Sequence, residues 1–331
     1  MSRWPVIGHE WALDLLGQAI RSDRVRHAYL FTGPPQVGKT TVAHAVAQAL
    51  VCERRDTGDG SPCGRCPTCC RVAENRYPDL QLIAAARNVI QIDQVRALLS
   101  DAAMSPLEGN YKVFIVTEIE RATLPAANAL LKTLEEPAPR VVLLLTSHRR
   151  DLVLPTILSR CQVINLRPLS LARIREALQT RWGVDEAEAE LLSRLSAGRL
   201  GWAITAHTNP ELQQARSRRL DDLLVLLGEG YLGRLAYAEA LSREDDEIEA
   251  TLSLWAGWWR DVLLVQHRLD HAVINLDRKA QLAQQAGHFR QDQVEKALLD
   301  LMQTLQRIRA NVNARLALDV LMLRLPKPTV A

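Results

Sequence analysis

The sequence has no long apolar run, since none of its hydrophobic segments approaches the roughly 18 residues that a membrane-spanning helix needs. The N-terminus, Met1-Ser2-Arg3-Trp4-Pro5, also lacks the charged region followed by an apolar stretch that is typical of a secretion signal. From these two absences we expect a cytoplasmic protein that does not contact a membrane.

A strong charge of either sign is missing as well. The chain carries 41 Lys and Arg residues against 38 Asp and Glu, which gives a net charge of +3. This balance is too even for a protein that holds a DNA duplex by its overall field. Any contact with nucleic acid is therefore expected to be local or shared with partner proteins.

The chain is long, by contrast, and its hydrophobic content is high. A chain of 331 residues is long for one core, and its hydrophobic content of 47% is ample for two or three domains. Breaks in the pattern near Pro168 and near Thr208-Asn209-Pro210 predict domains over residues 1–167, 168–208 and 209–331.

One segment fits the phosphate-binding loop pattern G-x-x-x-x-G-K-[ST]. It consists of Gly33, Pro34, Pro35, Gln36, Val37, Gly38, Lys39 and Thr40. A buried strand is predicted before it, over 28–32, and an apolar helical pattern follows it. This order places the free N–H groups of a helix N-terminus where they can cradle phosphate oxygens. The alternative is a glycine turn that holds no phosphate.

Five of the six cysteines fall within 19 residues. Cys52, Cys63, Cys66 and Cys69 have the spacing of four thiolates around one tetrahedral Zn²⁺, while Cys70 breaks the x-x spacing and is the expected spare. Disulfides are the alternative, but a reducing compartment and the difficulty of pairing cysteines three apart disfavour them. No histidine or water-activating carboxylate lies among the ligands, so the site is predicted to be structural.

The first half of the chain alternates strand and helix patterns. Besides the strand at 28–32, short apolar runs predict strands at 80–84, 113–116, 141–145 and 163–164, and a helix is predicted over 123–135. Such alternation indicates an α/β fold with a parallel sheet covered on both sides, whose ligands bind at the carboxyl ends of the strands.

The rest of the chain is predicted to be helical, with a small section over 169–207 and a longer one from about 211 to 324. Trp255, Trp258 and Trp259 lie on an apolar stripe of the longer section. Because no basic residues are interleaved with them, they are read as core or subunit-interface residues in preference to a base-stacking platform.

Taken together, several segments resemble clamp-loader subunits of the AAA+ class from bacterial DNA polymerase III. The segments are Val6-Ile7-Gly8-His9, the strand entry Arg26-His27-Ala28-Tyr29-Leu30-Phe31, Ala127-Asn128-Ala129-Leu130-Leu131-Lys132-Thr133-Leu134-Glu135-Glu136-Pro137 and Ser159-Arg160-Cys161. The resemblance implies an AAA+ P-loop sheet with an inserted zinc module over 52–70, a helical lid domain and an all-α collar domain that assembles subunits.

The resemblance also implies partners and one catalytic residue. The partners would be the gamma and tau motor subunits and the delta subunit, with the sliding clamp and primed DNA reached through the complex. Arg160, in the S-R-C motif, would act in trans on the nucleotide of a neighbouring subunit, as an arginine finger that stabilises charge on the γ-phosphate. The alternative for Arg160 is a surface arginine paired with a nearby carboxylate, and Cys161 is then a packing residue.

Three positions depart from a working motor of this class. Thr117 stands where a motor has the Mg²⁺-binding aspartate, although Glu118 remains where a water-positioning acid belongs. The sensor segment Thr146-Ser147-His148 has no asparagine, and Gly201 stands where a motor has a second-sensor arginine. We therefore expect a positional subunit with weak or absent ATPase activity, and whether Lys39 still holds ATP stays open.

Three other interpretations remain. The chain could be a motor subunit of the same complex, or a stand-alone P-loop ATPase, which would need its own metal-binding aspartate near 113–116. Direct nucleic-acid binding through the zinc module is weakened by the mixed charges of its flanks, Glu53-Arg54-Arg55-Asp56 and Arg65.

Overall fold

The computed structural model describes residues 4–54, 58–86, 88–310 and 312–327, apart from the side chains of residues 245 and 246. Within these residues no helix is long and apolar enough to cross a membrane. The chain divides into an N-terminal unit, Met1–Trp182 with Ser196–Trp202, and a C-terminal unit, Gly183–Leu195 with Ala203–Ala331.

The described part of the N-terminal unit contains a five-stranded parallel sheet in the order β2-β3-β4-β1-β5. The strands are β1 (Ala28–Thr32), β2 (Leu80–Ile83), β3 (Lys112–Val116), β4 (Val141–Ser147) and β5 (Gln162–Asn165). All five predicted strands are confirmed: β1 has the predicted bounds, and the ends of the other four differ by one or two residues. β3 begins one residue earlier because Lys112 pairs with Val141 of β4, and the buried Lys112 ammonium is paired with Asp101 at 2.6 Å.

Two apolar cores cover the two faces of the sheet. Alternate strand residues point to opposite faces, so Tyr29 and Phe31 join one core while Ala28 and Leu30 join the other. The helices of this unit are α1 (Glu10–Arg21), α2 (Lys39–Val51), α3 (Pro67–Ala73), α4 (Ile92–Ala102), α5 (Leu124–Glu135), α6 (Pro155–Leu158) and α7 (Leu171–Trp182). The parallel α/β class expected from the sequence is confirmed.

The C-terminal unit is helical throughout its described residues. Its helices are α8 (Glu186–Leu195), α9 (Leu200–Thr208, of which the N-terminal unit includes the first three residues), α10 (Pro210–Gly228), α11 (Tyr231–Leu241), α12 (Asp245–Gln266), α13 (Lys279–His288), α14 (Gln291–Arg309) and α15 (Ala314–Arg324). Trp255, Trp258 and Trp259 are completely buried in its core, so they cannot stack on bases. The three-domain division stays a prediction.

Arg234 on α11 is completely buried, and no carboxylate among the described residues pairs with it. Its guanidinium donates to the Leu226 and Leu227 carbonyls at the end of α10, at 2.9 and 3.2 Å. It also donates to three carbonyls where α15 ends, the shortest being Leu325 O at 2.6 Å. Carbonyls at helix C-termini are unpaired and carry partial negative charge, so one cation satisfies two helix ends.

We expect Arg234→Lys to lower the free energy of unfolding by about 2 kcal/mol, because an ammonium has fewer donors and leaves buried carbonyls unsatisfied. Urea unfolding followed by circular dichroism measures the effect. The matched control is Arg243→Lys, an exposed arginine just after the same helix, for which we expect less than about 0.5 kcal/mol. Equal losses in the two variants would contradict this role for Arg234.

Candidate functional site

The predicted phosphate loop lies between the carboxyl end of β1 and the start of α2. Its two glycines are required by the backbone. Gly33 has φ +145°, and a Cβ there would lie 2.3 Å from the carbonyl oxygen of Leu166. Gly38, at the N-cap of α2, has φ +107°, a conformation that side chains disfavour. The loop therefore has the strand, turn and helix order that the sequence predicted.

Two residues outside the loop hold its backbone. The His9 ring nitrogen Nε2 lies 2.9 Å from the Val37 carbonyl oxygen. The Gly201 N–H, at the start of α9, donates to the Gln36 carbonyl at 3.0 Å. A Cβ at position 201 would lie 2.8 Å from that carbonyl oxygen, closer than side chains tolerate. A larger residue, including the arginine that a motor has there, does not fit while this contact is made.

Lys39, the lysine of the motif, is buried and directed at its own loop. Its Nζ donates to the Gly33 carbonyl at 2.8 Å and to the Pro34 carbonyl at 2.6 Å. Burial lowers the pKa of Lys39 to about 8, and the charges of Glu120 and Glu118 partly oppose this shift. The ammonium thus lies within reach of the loop and in the field of two carboxylates.

The position of the motor aspartate has no carboxylate. The Thr117 hydroxyl donates to the Ile83 carbonyl at 3.4 Å. Glu118 has a left-handed backbone with φ +54°, and its carboxylate pairs with Arg121 at 2.7 Å and with His148 at 3.3 Å. The carboxylate of Glu118 is therefore engaged by Arg121 in an ion pair and lies in contact with the His148 ring at the carboxyl edge of the sheet.

Sequence reasoning missed Glu120, a second acid at this edge. Its side chain is only 4% exposed, and Oε1 accepts the His148 N–H at 3.0 Å. Oε2 is buried and has no hydrogen-bond partner among the described residues. The only signal in the sequence is its place two residues after Glu118.

The four predicted metal ligands come together. The sulfur atoms of Cys52, Cys63, Cys66 and Cys69 all lie within 4.8 Å of one another, and the Cys63 and Cys69 sulfurs are 3.9 Å apart. Four thiolates on a tetrahedral Zn²⁺, with Zn–S bonds of about 2.3 Å, have sulfurs at about this separation. Cys70 is exposed and outside the cluster, so the four-sulfur set can hold a metal ion.

Backbone N–H groups point at the cluster and favour thiolates. The amides of Cys63, Cys66 and Cys69 each donate to the sulfur of another ligand at 3.3–3.4 Å. An amide hydrogen bond from Arg65, together with the Cys66 amide, lowers the pKa of the Cys63 thiol to about 6 although burial opposes it. Burial raises the pKa values of the Cys52 and Cys69 thiols, which a bound cation would counter.

Hydrogen bonds connect the cysteine-containing segment to helices α1 and α2. Gln48 on α2 donates to the Cys69 carbonyl at 2.8 Å, and Arg21 on α1 donates to the Gly58 carbonyl at 2.7 Å. Gly60 lies so near α1 that a Cβ there would be 2.4 Å from the Gly17 carbonyl oxygen. Of the charged flank at 53–56, residues 55 and 56 lie outside the described residues.

Arg160 follows α6 and lies at the surface. Its guanidinium pairs with Glu135 at 2.7 Å and donates to the Thr156 carbonyl at 3.0 Å and the Ser159 hydroxyl at 3.3 Å. Within this chain, Arg160 is thus a surface arginine paired with a carboxylate. Cys161 packs against the core beside α5, as expected for a packing residue.

Comparison with known proteins places these features in a family. The family model described as "DNA polymerase III, delta subunit" matches residues 8–170, which include the phosphate loop, the four cysteines and Arg160. The delta-prime subunit of DNA polymerase III from Bacillus subtilis is 28% identical over 95% of this chain and 94% of its own length. The chain belongs to the AAA+ clamp-loader family.

The clamp-loader relatives include a second kind of subunit. The tau subunit of DNA polymerase III from Salmonella typhimurium is 33% identical over 73% of this chain, but the match covers 36% of that protein. The chain thus spans about a third of the length of the tau relatives that it matches. A gamma-subunit-related protein of DNA polymerase III from Thermotoga maritima matches 94% of this chain and 97% of its own, at 18% identity. Its TM-score of 0.40 is too low to carry an argument.

Clamp-loader membership alone does not separate a delta-prime subunit from a tau subunit, since both names occur among the relatives. The distinction between the two kinds of subunit therefore rests on the residues around the phosphate loop. In this site, Thr117 offers a hydroxyl and no carboxylate, Glu118 is ion-paired with Arg121, and Gly201 contacts the phosphate loop.

Proposed function

We propose that this chain is the delta-prime subunit of the DNA polymerase III clamp loader and serves it as a stator. In this role it closes one end of the subunit arc and helps the complex load the sliding clamp onto primed DNA. The observation that carries the proposal is the loss of hydrolytic groups beside a retained phosphate loop: Thr117 has no carboxylate, and Glu118 is held by Arg121 and His148.

The stator would contribute to hydrolysis through Arg160. Its exposed guanidinium lies outside this chain's own phosphate loop and pairs with Glu135, not with a residue of that loop. An arginine on the surface of one subunit can stabilise charge on the γ-phosphate held by its neighbour. The partners of the chain would then be gamma or tau motor subunits and the delta subunit.

Two bound groups belong to the proposal. Zn²⁺ would be held by Cys52, Cys63, Cys66 and Cys69 in a closed structural site, since four protein thiolates leave no open coordination position. ATP would contact the loop amides and Lys39. The residues fit its phosphates, but without the aspartate at 117 they lack the charge that holds Mg²⁺ in a motor.

The second candidate is a motor subunit. The intact loop from Gly33 to Thr40 and the 33% identity to tau favour it. A motor needs a metal-binding acid and a water-orienting acid at the same time. The groups at 117 and 118 supply at most the second of these.

The test of the proposal is the hydrolysis of ATP by the isolated chain. We expect negligible turnover, because no carboxylate at 117 holds Mg²⁺ and Glu118 is ion-paired. In a complex reconstituted with motor and delta subunits, Lys39→Ala in this chain should change the total ATPase rate by less than about twofold. Phosphate-release assays measure both quantities.

Thr117→Asp is the companion variant. It restores one carboxylate but leaves Glu118 held by Arg121 and His148, so we expect it to remain inactive on its own. Robust turnover of the isolated chain that Lys39→Ala abolishes would overturn the stator assignment in favour of the motor.

A further inference from the structure

Glu135 is the carboxylate that pairs with Arg160, the proposed arginine finger. Its Oε1 lies 2.7 Å from Arg160 Nη2. The other terminal nitrogen, Nη1, donates to the Thr156 carbonyl and the Ser159 hydroxyl. The two ends of the guanidinium are therefore held by different groups, and among the described residues Glu135 is the only carboxylate paired with Arg160.

Helix stability does not account for an acid at this place. Glu135 is the last residue of α5, and Glu136 follows it as the C-cap. A negative charge there faces the negative end of the helix dipole, which is unfavourable for the helix. Lys132 is the basic residue of that last turn, so the position of Glu135 calls for another explanation.

The ion pair is also too exposed to be a stabilising device. The Arg160 side chain is 33% exposed and that of Glu135 is 50% exposed. Pairs of this kind contribute little to stability, because water screens them and two long side chains lose freedom. A pair so weak can still reduce the number of conformations that the arginine samples, and it can be exchanged for a stronger anion.

We infer that Glu135 is a positioning residue for Arg160: it holds the guanidinium in one orientation until a phosphate of the neighbouring subunit takes over one of its nitrogens. The inference rests on the proposed function, since it assumes that Arg160 acts in trans. A carboxylate on one nitrogen and a backbone carbonyl on the other hold the planar guanidinium in one orientation, so less side-chain freedom is lost when it binds the phosphate.

The experiment compares Glu135→Ala, Glu135→Gln and the matched control Glu136→Ala in the reconstituted complex. Glu136 is the adjacent exposed glutamate, and no described residue pairs with it. The measured quantity is the DNA- and clamp-stimulated kcat of the complex. The variants are compared in the part of this kcat that depends on Arg160, which is the part lost in Arg160→Ala. Glu135→Ala should lower this part about three- to tenfold with an unchanged KM for ATP, because ordering of the arginine is lost while nucleotide binding is not.

Three further results are expected. Glu135→Gln should retain most of the activity, since its amide oxygen still accepts a hydrogen bond from Nη2. Glu136→Ala should match the unmodified complex. In an Arg160→Ala background, Glu135→Ala should have no additional effect, because the side chain it positions is gone.

The outcomes separate this inference from the function on which it rests. If Arg160→Ala itself leaves the rate unchanged, the proposed trans role fails. If Arg160→Ala lowers the rate but Glu135→Ala does not, only the positioning role is overturned. An equal loss in Glu136→Ala, or a further loss from Glu135→Ala in the Arg160→Ala background, would also overturn it, since either result indicates an effect that does not pass through Arg160.

Discussion

Arg160→Ala is expected to leave this chain folded and incorporated into the clamp loader, yet to reduce the DNA- and clamp-stimulated ATPase of the complex. Folding should be unaffected because the side chain is a third exposed and its ion pair with Glu135 is a surface pair. We expect the loss of ATPase rate in the active site of a neighbouring subunit, not at this chain's own phosphate loop. Circular dichroism, size-exclusion chromatography of the complex and phosphate release measure the three properties.

The size of the effect depends on how the sites are coupled. An arginine finger contributes about 10³–10⁵ in rate at the site it serves. The other motor sites keep their own arginines, so the whole-complex rate should fall only partly unless the sites fire together. Arg160→Lys should rescue poorly, because an ammonium lacks the planar fork that bridges two phosphate oxygens. Complexes with Arg160→Ala that load clamps at the unmodified rate would contradict the trans role.

Cys66→Ser is expected to release the metal and to lower the thermal stability of the chain. A structural zinc site contributes its binding free energy to folding, about 10–16 kcal/mol in small zinc modules. Here a bound metal would join Cys52, at the end of α2, to the three ligands at 63–69, so we expect a loss of about 3 kcal/mol or more when one of the four thiolates is removed. Scanning calorimetry and metal analysis of chelator-free preparations measure the two effects.

The matched control for the metal site is Cys70→Ser. Cys70 is the exposed neighbour of the ligand Cys69 and lies outside the four-sulfur cluster. It should keep one Zn²⁺ per chain and the unmodified melting temperature. A preparation of the unmodified chain that contains no zinc, or a Cys70→Ser chain that loses the metal as readily as Cys66→Ser, would show that the cluster has another use.

The stator and motor hypotheses differ in the hydrolytic groups beside the phosphate loop, not in the loop itself. In the structure, Gly201 touches the Gln36 carbonyl and His9 touches the Val37 carbonyl, so the loop is held from two sides. A loop held in this way can still bind phosphate through its amides. The site around the loop differs from a motor site because it lacks the groups that act on Mg²⁺ and water. The proposed measurement of ATP hydrolysis tests for those groups.

Local patterns in the sequence predicted much of the N-terminal unit. β1, β3 and β4 could be found because each is a short apolar run buried on both faces. The partly exposed strands β2 and β5 gave shorter or weaker apolar runs, and the loop could be found because G-x-x-x-x-G-K-T imposes its own backbone. The four cysteines could be grouped because their spacing is itself a geometric constraint. The Trp255–Trp259 stripe predicted a buried helix face, and the structure confirms it.

Contacts between residues that are far apart in the sequence could not be predicted from local patterns. Nothing near Gly201 in the sequence indicates that its N–H meets Gln36, and nothing near Arg234 indicates that it satisfies the ends of two helices. The contact of His148 with Glu118 and the pairing of Arg160 with Glu135 are of the same kind, since each depends on how β3, β4, α5 and α6 are placed by the sheet.

The sequence by itself thus determined which elements form, where a phosphate loop begins and which thiols can share a metal, because propensity, periodicity and short spacings act within a few residues. Only the tertiary structure decided which charges are satisfied and which are exposed. Hydrogen bonds and ion pairs act over about 3–4 Å in space, whatever the separation along the chain. For this protein, the tertiary structure brings His148 to Glu118 and Glu135 to Arg160, whose side chain is a third exposed.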